Sequence, residues 1–338
     1  MRFLPSLAAT AIITIFSGLR AQSPGIVGVI VIPAPLITLT HVSIMDRPGG
    51  PPLENQTVIL HDGKTAHLGA ENTTPIADGA AIRDLTGKTI LQNLVMAPEH
   101  IDYSSMIEGP FHMNEMESSL PKFYLATGVT SARTIGSLET YTDLPAKTDV
   151  DAGKIPGPKH HLTAPYVDGA AKSISQLHGV KRAVAAVQMV NYFTDEGFTS
   201  LKAYINLASD ILPATVTAAH QRGLHVTDQL GTTSCHESSL AGIDNLEHGF
   251  IAPSDVIAEH QISDNSDATA NSRSPETLAP DTLNGSLAFG KTADLIVVNG
   301  DLPTDISDLL KAEIVLKGGK GYDSAALFAA VNGIVCIQ

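Results

Sequence analysis

The chain has 338 residues, with 35 acidic against 21 basic side chains, a formal charge of −14, two cysteines and no tryptophan. That charge argues against a nucleic-acid partner, which needs a basic surface to release counterions. Two cysteines cannot staple a disulfide scaffold, and Cys235 and Cys336 lack the CxxC spacing of a metal knuckle or redox pair.

Met1-Arg2-Phe3 sets positive charge ahead of an apolar run from Leu7 to Phe16, and Ala21 precedes polar Gln22 and Ser23. This is the layout of a secretory signal peptide over residues 1–21, too short to anchor in a bilayer. A secreted or periplasmic location and no stable membrane span are expected. The second apolar stretch, Ile26 to Ile32, ends at Pro33 and reads as a linker or strand.

β character begins at Leu36, where Leu36 to Asp46 is rich in β-branched residues with partial alternation. Gln56 to Leu68 predicts two strands about Asp62-Gly63, a type I′ hairpin signal. A strand near Ala81 to Leu85 leads through Gly87-Lys88 into the apolar run Ile90 to Ala97. Together these predict a small antiparallel β unit.

The middle alternates short apolar runs with helical segments. Strands are expected at Val129 to Ile135, His161 to Pro165, Ser200 to Tyr204, Leu224 to Thr227 and Ile243 to His248. Helices are expected at Val180 to Glu196 and at Ala208 to Arg222, the latter closed by Gly223. Such alternation predicts βα units around a parallel sheet, open or closed into a barrel. Residues 263–284 are polar and without apolar period, and read as an exposed linker. Strands return at Gly285 to Gly290, Asp294 to Asn299 and Glu313 to Lys317.

In this order the pieces resemble the amidohydrolase superfamily, in its secreted imidazolonepropionase-like and prolidase-like branch. The run from Gly285 to Val297 is similar to that family's return into its β-sandwich, and Leu94 to His100 to its first barrel strand. Thr199 to Tyr204 resembles the strand bearing the carbamylated lysine, Gly223 to Leu230 the fifth strand, and Gly242 to Gly249 the sixth. The resemblance implies a TIM-like (β/α)8-type barrel at 94–262 and a composite β-sandwich at 34–93 and 285–338. It also implies a zinc-activated hydroxide that attacks an amide or dipeptide-like C–N bond in a small molecule.

On that pattern Lys202 and His248 are the expected catalytic residues, and His100, Lys202 and His248 the expected zinc ligands. Tyr204 and Arg133 are the expected substrate contacts, and His112, Glu115 and Glu117 lie on the loop after strand one. Two ligand positions depart from the pattern. Pro98 replaces the first histidine of the HxH motif, and Gln229 replaces the fifth-strand histidine, with Asp228 before it where a small residue is usual. The interval from Phe250 to Asn284 is too short for two further βα units, so the barrel is expected to lack strands seven and eight and their ligand aspartate. The competing expectation is a catalytically impaired member that serves as a binding protein or is a decaying gene product. Open barrel edges would favour self-association.

Overall fold

A computed structural model describes residues 28–32, 35–46, 50–76, 78–105, 112–138, 140–172, 174, 177–247 and 287–334. The leader at 1–21, His248, the interval expected to lack strands seven and eight, the linker at 263–284 and Cys336 lie outside the described residues.

Six strands open the described chain: β1 (Ile30–Ile32), β2 (Leu36–Met45), β3 (Leu53–His61), β4 (Lys64–Ala70), β5 (Ala81–Asp84) and β6 (Thr89–Gln92). Asp62 and Gly63 between β3 and β4 sit at φ 48° and 77°, the two left-handed positions of a type I′ turn. The apolar run at 90–97 splits at Asn93, and its second half is β7 (Leu94–Glu99). An antiparallel ribbon, β8 (Asp102–Ser105) and β9 (His112–Glu115), follows where a solvated loop was expected.

The middle then alternates helices and strands. It runs through α1 (Ser119–Ala126), β10 (Val129–Thr134), α2 (Thr140–Asp151), β11 (Lys159–His161), β12 (Val167–Gly169) and β13 (His178–Val180). It continues with α3 (Ala183–Asp195), β14 (Ser200–Ala203), α4 (Leu212–Gln221), β15 (His225–Asp228), α5 (Cys235–Ala241) and β16 (Asn245–Leu246). The chain closes with β17 (Leu295–Val298), β18 (Ala312–Lys317), β19 (Lys320–Asp323) and α6 (Ser324–Val331).

Both chain ends build one nine-stranded sheet, ordered β1-β19-β18-β17-β6-β2-β3-β4, with β5 also on β2. The expected antiparallel unit is therefore mixed. β2 runs antiparallel to β3 but parallel to β5 over Ile37–Thr40 and to β6 over Ser43–Met45. The connection at 71–80 carries the chain from β4 back to the other edge of β2, so β5 enters in β2's own direction. One core spans the two ends, with Leu39, Ile44, Val58 and Ile90 against Leu295, Val297 and Leu316. The strand expected at 285–290 is a turn over its described part. Gly290, at φ 80°, donates its N–H to the Thr65 carbonyl, and strand pairing begins only at Leu295.

The parallel strands form an arc. β7, β10 and β11 pair in order, and β12, β14, β15 and β16 pair in order. A parallel bridge between Thr163 and Ser200 joins the two sets. Among the described residues β7 and β16 each have a partner on one side only. Alternation sorts the side chains of β14: Leu201 and Ala203 face Val190 and Phe193 of α3 and Val216 of α4, and Lys202 turns the other way. On the far side α1 packs on α6, with Phe123 and Phe328 edge to face at 6.0 Å. That contact ties the parallel arc to the nine-stranded sheet.

Candidate functional site

Lys202 on β14 meets Glu247, just past β16. Nζ and Oε2 are 2.6 Å apart, and the two side chains are 1% and 2% exposed. Thr227 on β15 donates its hydroxyl to the other carboxylate oxygen, Oε1, at 2.8 Å. The Lys202 ammonium also stands over the Tyr166 ring at 4.8 Å and the Tyr204 ring at 5.5 Å. Those rings stack at 4.4 Å with planes 15° apart. Burial pushes Lys202 below the ordinary lysine range, and Glu247 opposes the shift.

Gly136 makes room for this stack. It sits at φ 104°, and a Cβ there would come within 2.0 Å of the Tyr166 ring and 3.3 Å of Lys202.

Arg133 on β10 is 3% exposed, and its Nε and Nη2 have no hydrogen-bond partner among the described residues. These two nitrogens form one edge of the guanidinium, a fork that fits a carboxylate. Burial lowers its pKa, against the pull of Glu247 and Asp244.

His100 follows β7, with Nδ1 3.1 Å from the Gly136 carbonyl and 4.0 Å from Asp102 Oδ1. A carbonyl only accepts, so Nδ1 carries the proton and the neutral ring leaves a lone pair on Nε2. Burial lowers the His100 pKa, and Asp102 raises it. Asp143 of α2 is buried near Asp102, and the loss of hydration pushes its carboxyl up to about 8. Asp228 faces the outer helix layer, where Ser238 of α5 donates to Oδ2 at 2.6 Å; burial pushes its pKa up to about 6.

Four of the five expected site residues thus share one neighbourhood about Glu247 or the Tyr166–Tyr204 stack, with Lys202 and Arg133 buried and Tyr204 and His100 partly open to solvent. The fifth, His248, lies outside the described residues. Glu247, Tyr166 and Asp143 were not anticipated. Alternation through Asn245 was the available signal for Glu247, since it sets residue 247 on the face of Thr227 and Lys202.

The implied zinc centre is not assembled by the described residues, and its expected ligand His248 lies outside them. Among them no three His, Cys, Asp or Glu side chains converge on a point where a metal ion would sit. Lys202, an expected zinc ligand, lies with Nζ 2.6 Å from Glu247 Oε2.

No family model and no curated protein sequence matches the chain. Solved structures do. Phenylurea hydrolase B superposes with a TM-score of 0.68 at 16% identity, covering 87% of this chain and 98% of its own. A Xaa-Pro dipeptidase with bound methionine gives 0.65 at 16% identity, over 85% of this chain and 100% of its own. The fold is that of the prolidase-like amidohydrolases. An ochratoxinase from A. niger extends the set at 0.64 and 14% identity, over 85% of this chain and 96% of its own. Lys202, Glu247 and His100 all lie toward the carboxyl ends of the parallel strands, late in or just beyond β14, β16 and β7.

Proposed function

We propose that the protein hydrolyses a C–N bond, amide or dipeptide-like, in a small molecule that carries a carboxylate. The observation that carries this reading is the pair of buried cations, Lys202 and Arg133, in a prolidase-like fold. One of them presents an unused edge shaped for a carboxylate. The fold neighbours named for their activity include a Xaa-Pro dipeptidase, a molinate hydrolase and a phenylurea hydrolase.

In this reading Arg133 takes the substrate carboxylate in a two-point contact and Tyr204 lines the pocket beside it. Lys202 offsets the negative charge that develops on the carbonyl oxygen. Glu247, steadied by Thr227, takes a proton from the attacking water and returns it to the leaving nitrogen. The water oxygen ends on the carbonyl carbon, the C–N bond breaks, and the proton count closes. Export of the chain is part of this proposal, motivated by the apolar run from Leu7 to Phe16 behind Met1-Arg2-Phe3.

The test is turnover of Xaa-Pro dipeptides and N-acyl amino acids by the full mature chain, with zinc per chain measured alongside. Hydrolysis abolished by Glu247→Gln and by Arg133→Met supports the proposal. Hydrolysis that survives both overturns these roles. Stoichiometric zinc together with chelator-sensitive turnover would return the chemistry to a metal.

A second reading, binding without turnover, is favoured by one observation. Glu247 already holds Lys202 at 2.6 Å, which leaves little of that cation for a substrate. Folded, metal-free chain that binds N-acyl amino acids without cleaving them would decide for it.

A further inference from the structure

A cavity of about 580 Å³ opens beside the Lys202 cluster, between the loop after β10, the strand β13 and the helix α3. Its walls include Leu138, Tyr166, Val180, Met189, Tyr192 and Phe193. Among its described lining residues there is no Asp, Glu, Lys or Arg. The volume falls in the range of sites that enclose small ligands, and the walls suit an apolar group. Met189 adds a side chain that adapts to irregular shapes.

Tyr166 makes this cavity more than a surface cleft. Its ring lines the cavity and also carries the Tyr204 stack and the Lys202 ammonium. A ligand that reached both sides of Tyr166 would place a polar end near buried cations and an apolar end against aromatic walls. Tyr192, 48% exposed, and Tyr141, 64% exposed, share a hydrogen bond of 2.8 Å between their hydroxyls across α2 and α3. That bond ties the two helices together beside the cavity's outer wall.

We infer that this cavity is a specificity pocket for an aryl group, so that the preferred substrates are N-aroyl or aryl-bearing amino-acid amides. The substrate part of this inference rests on the proposed hydrolysis, whereas the occupancy of the cavity by a ring does not.

The experiment therefore separates the two. Binding of indole to the full mature chain is measured by calorimetry, followed by competition with N-benzoylglycine and with N-acetylglycine. Saturable binding of indole is expected, with displacement by the benzoyl compound and not by the acetyl one. Met189→Trp, which fills the cavity, is expected to weaken indole binding about tenfold or more, a loss of at least about 1.4 kcal/mol. Ala185→Phe serves as a second filling variant, and both are checked for a cooperative melt. Absence of indole binding to folded wild-type chain overturns the pocket, whatever the turnover assays give. Indole binding that neither acyl compound displaces overturns the link to substrate and leaves the hydrolase reading untouched. Unchanged indole binding in a folded filling variant places the ring elsewhere and also overturns the inference.

Discussion

Lys202 Nζ lies 2.6 Å from Glu247 Oε2, and both side chains are almost wholly withdrawn from water. Such a pair recovers its desolvation cost only while both charges are present, because either one alone is a buried ion without a counter-charge. Truncating one partner, as Lys202→Met or Glu247→Leu, is expected to destabilise the chain by about 3–5 kcal/mol. The double variant is expected to be less damaged than either single one. Urea melts of the four proteins check this. Additive losses would show that the two charges act independently.

Stability is also expected to peak at mildly acidic pH. Asp143 holds its proton in the folded chain up to about 8, against 3.8 as the ordinary value. Its stabilising contribution is full below about pH 4 and is lost as pH rises to 8, because only the unfolded chain releases that proton in the interval. Asp228, raised to about 6, acts in the same direction over a narrower window. His160 limits the acid side. Burial, with nearby Lys317 adding to it, lowers its pKa from 6.5 to about 3, so the unfolded chain takes up a proton first as pH falls through that interval. Asp143→Asn should flatten the loss above pH 5, and His160→Asn the loss below 6.5. Each effect is on the order of a few kcal/mol across its window, read from urea midpoints at several pH values.

Local signals in the sequence foretold the elements, and long-range pairing was where they ran out. Asp62-Gly63 announced its hairpin because a two-residue turn with both φ angles positive is a local demand. The strand at Ser200-Leu201-Lys202-Ala203 was legible for the same reason, and in the structure its alternation turns Lys202 away from Leu201 and Ala203. The parallel entry of β5 and β6 beside β2 depends on a chain path of ten residues that carries no periodic mark. Helix α2 was equally hidden, since Pro145 lies inside it and its apolar residues do not repeat at helical spacing. Helix α5 did carry a legible sign, the capping box of Ser234 and Glu237, which the apolar pattern alone passes over. Within the site, Lys202 and His100 were singled out by the resemblance of their strands to the family pattern. Glu247 had only the alternation through Asn245 as a signal, and its charge facing a buried interior is explained only by its partner across the arc.

Gly136 is expected to be intolerant of substitution. Its φ of 104° strains any residue with a side chain, and its missing Cβ leaves the space that Tyr166 fills. Gly136→Ala should cost about 3 kcal/mol or displace the Tyr166 ring from the Lys202 ammonium. The tyrosine near-ultraviolet dichroism is a direct readout, as the chain has seven tyrosines and no tryptophan. Retention of both the wild-type spectrum and the melt would mean that the loop shifts without moving the ring.

Asp168 governs the other ring of the stack. Its carboxylate is fully buried, and Oδ1 accepts the backbone N–H of Gly169 at 2.8 Å and of Asn206 at 2.9 Å. The second of these bonds pins the loop that leaves β14 just after Tyr204, whose own N–H donates to the Val167 carbonyl at 3.0 Å. Asp168→Ala removes the acceptor of the Gly169 and part-buried Asn206 N–H groups and is expected to cost about 1–3 kcal/mol. Asp168→Asn keeps one acceptor oxygen and should lose less. Because the loop carries Tyr204, the alanine variant is also expected to weaken ligand binding beside Lys202 more than its stability loss alone would. The check is a comparison, at a temperature where both variants are folded, of N-benzoylglycine affinity with the tyrosine dichroism signal. Affinity that tracks the dichroism across wild type, asparagine and alanine would tie the loop to the site. Affinity that holds while the signal falls would confine Asp168 to the fold.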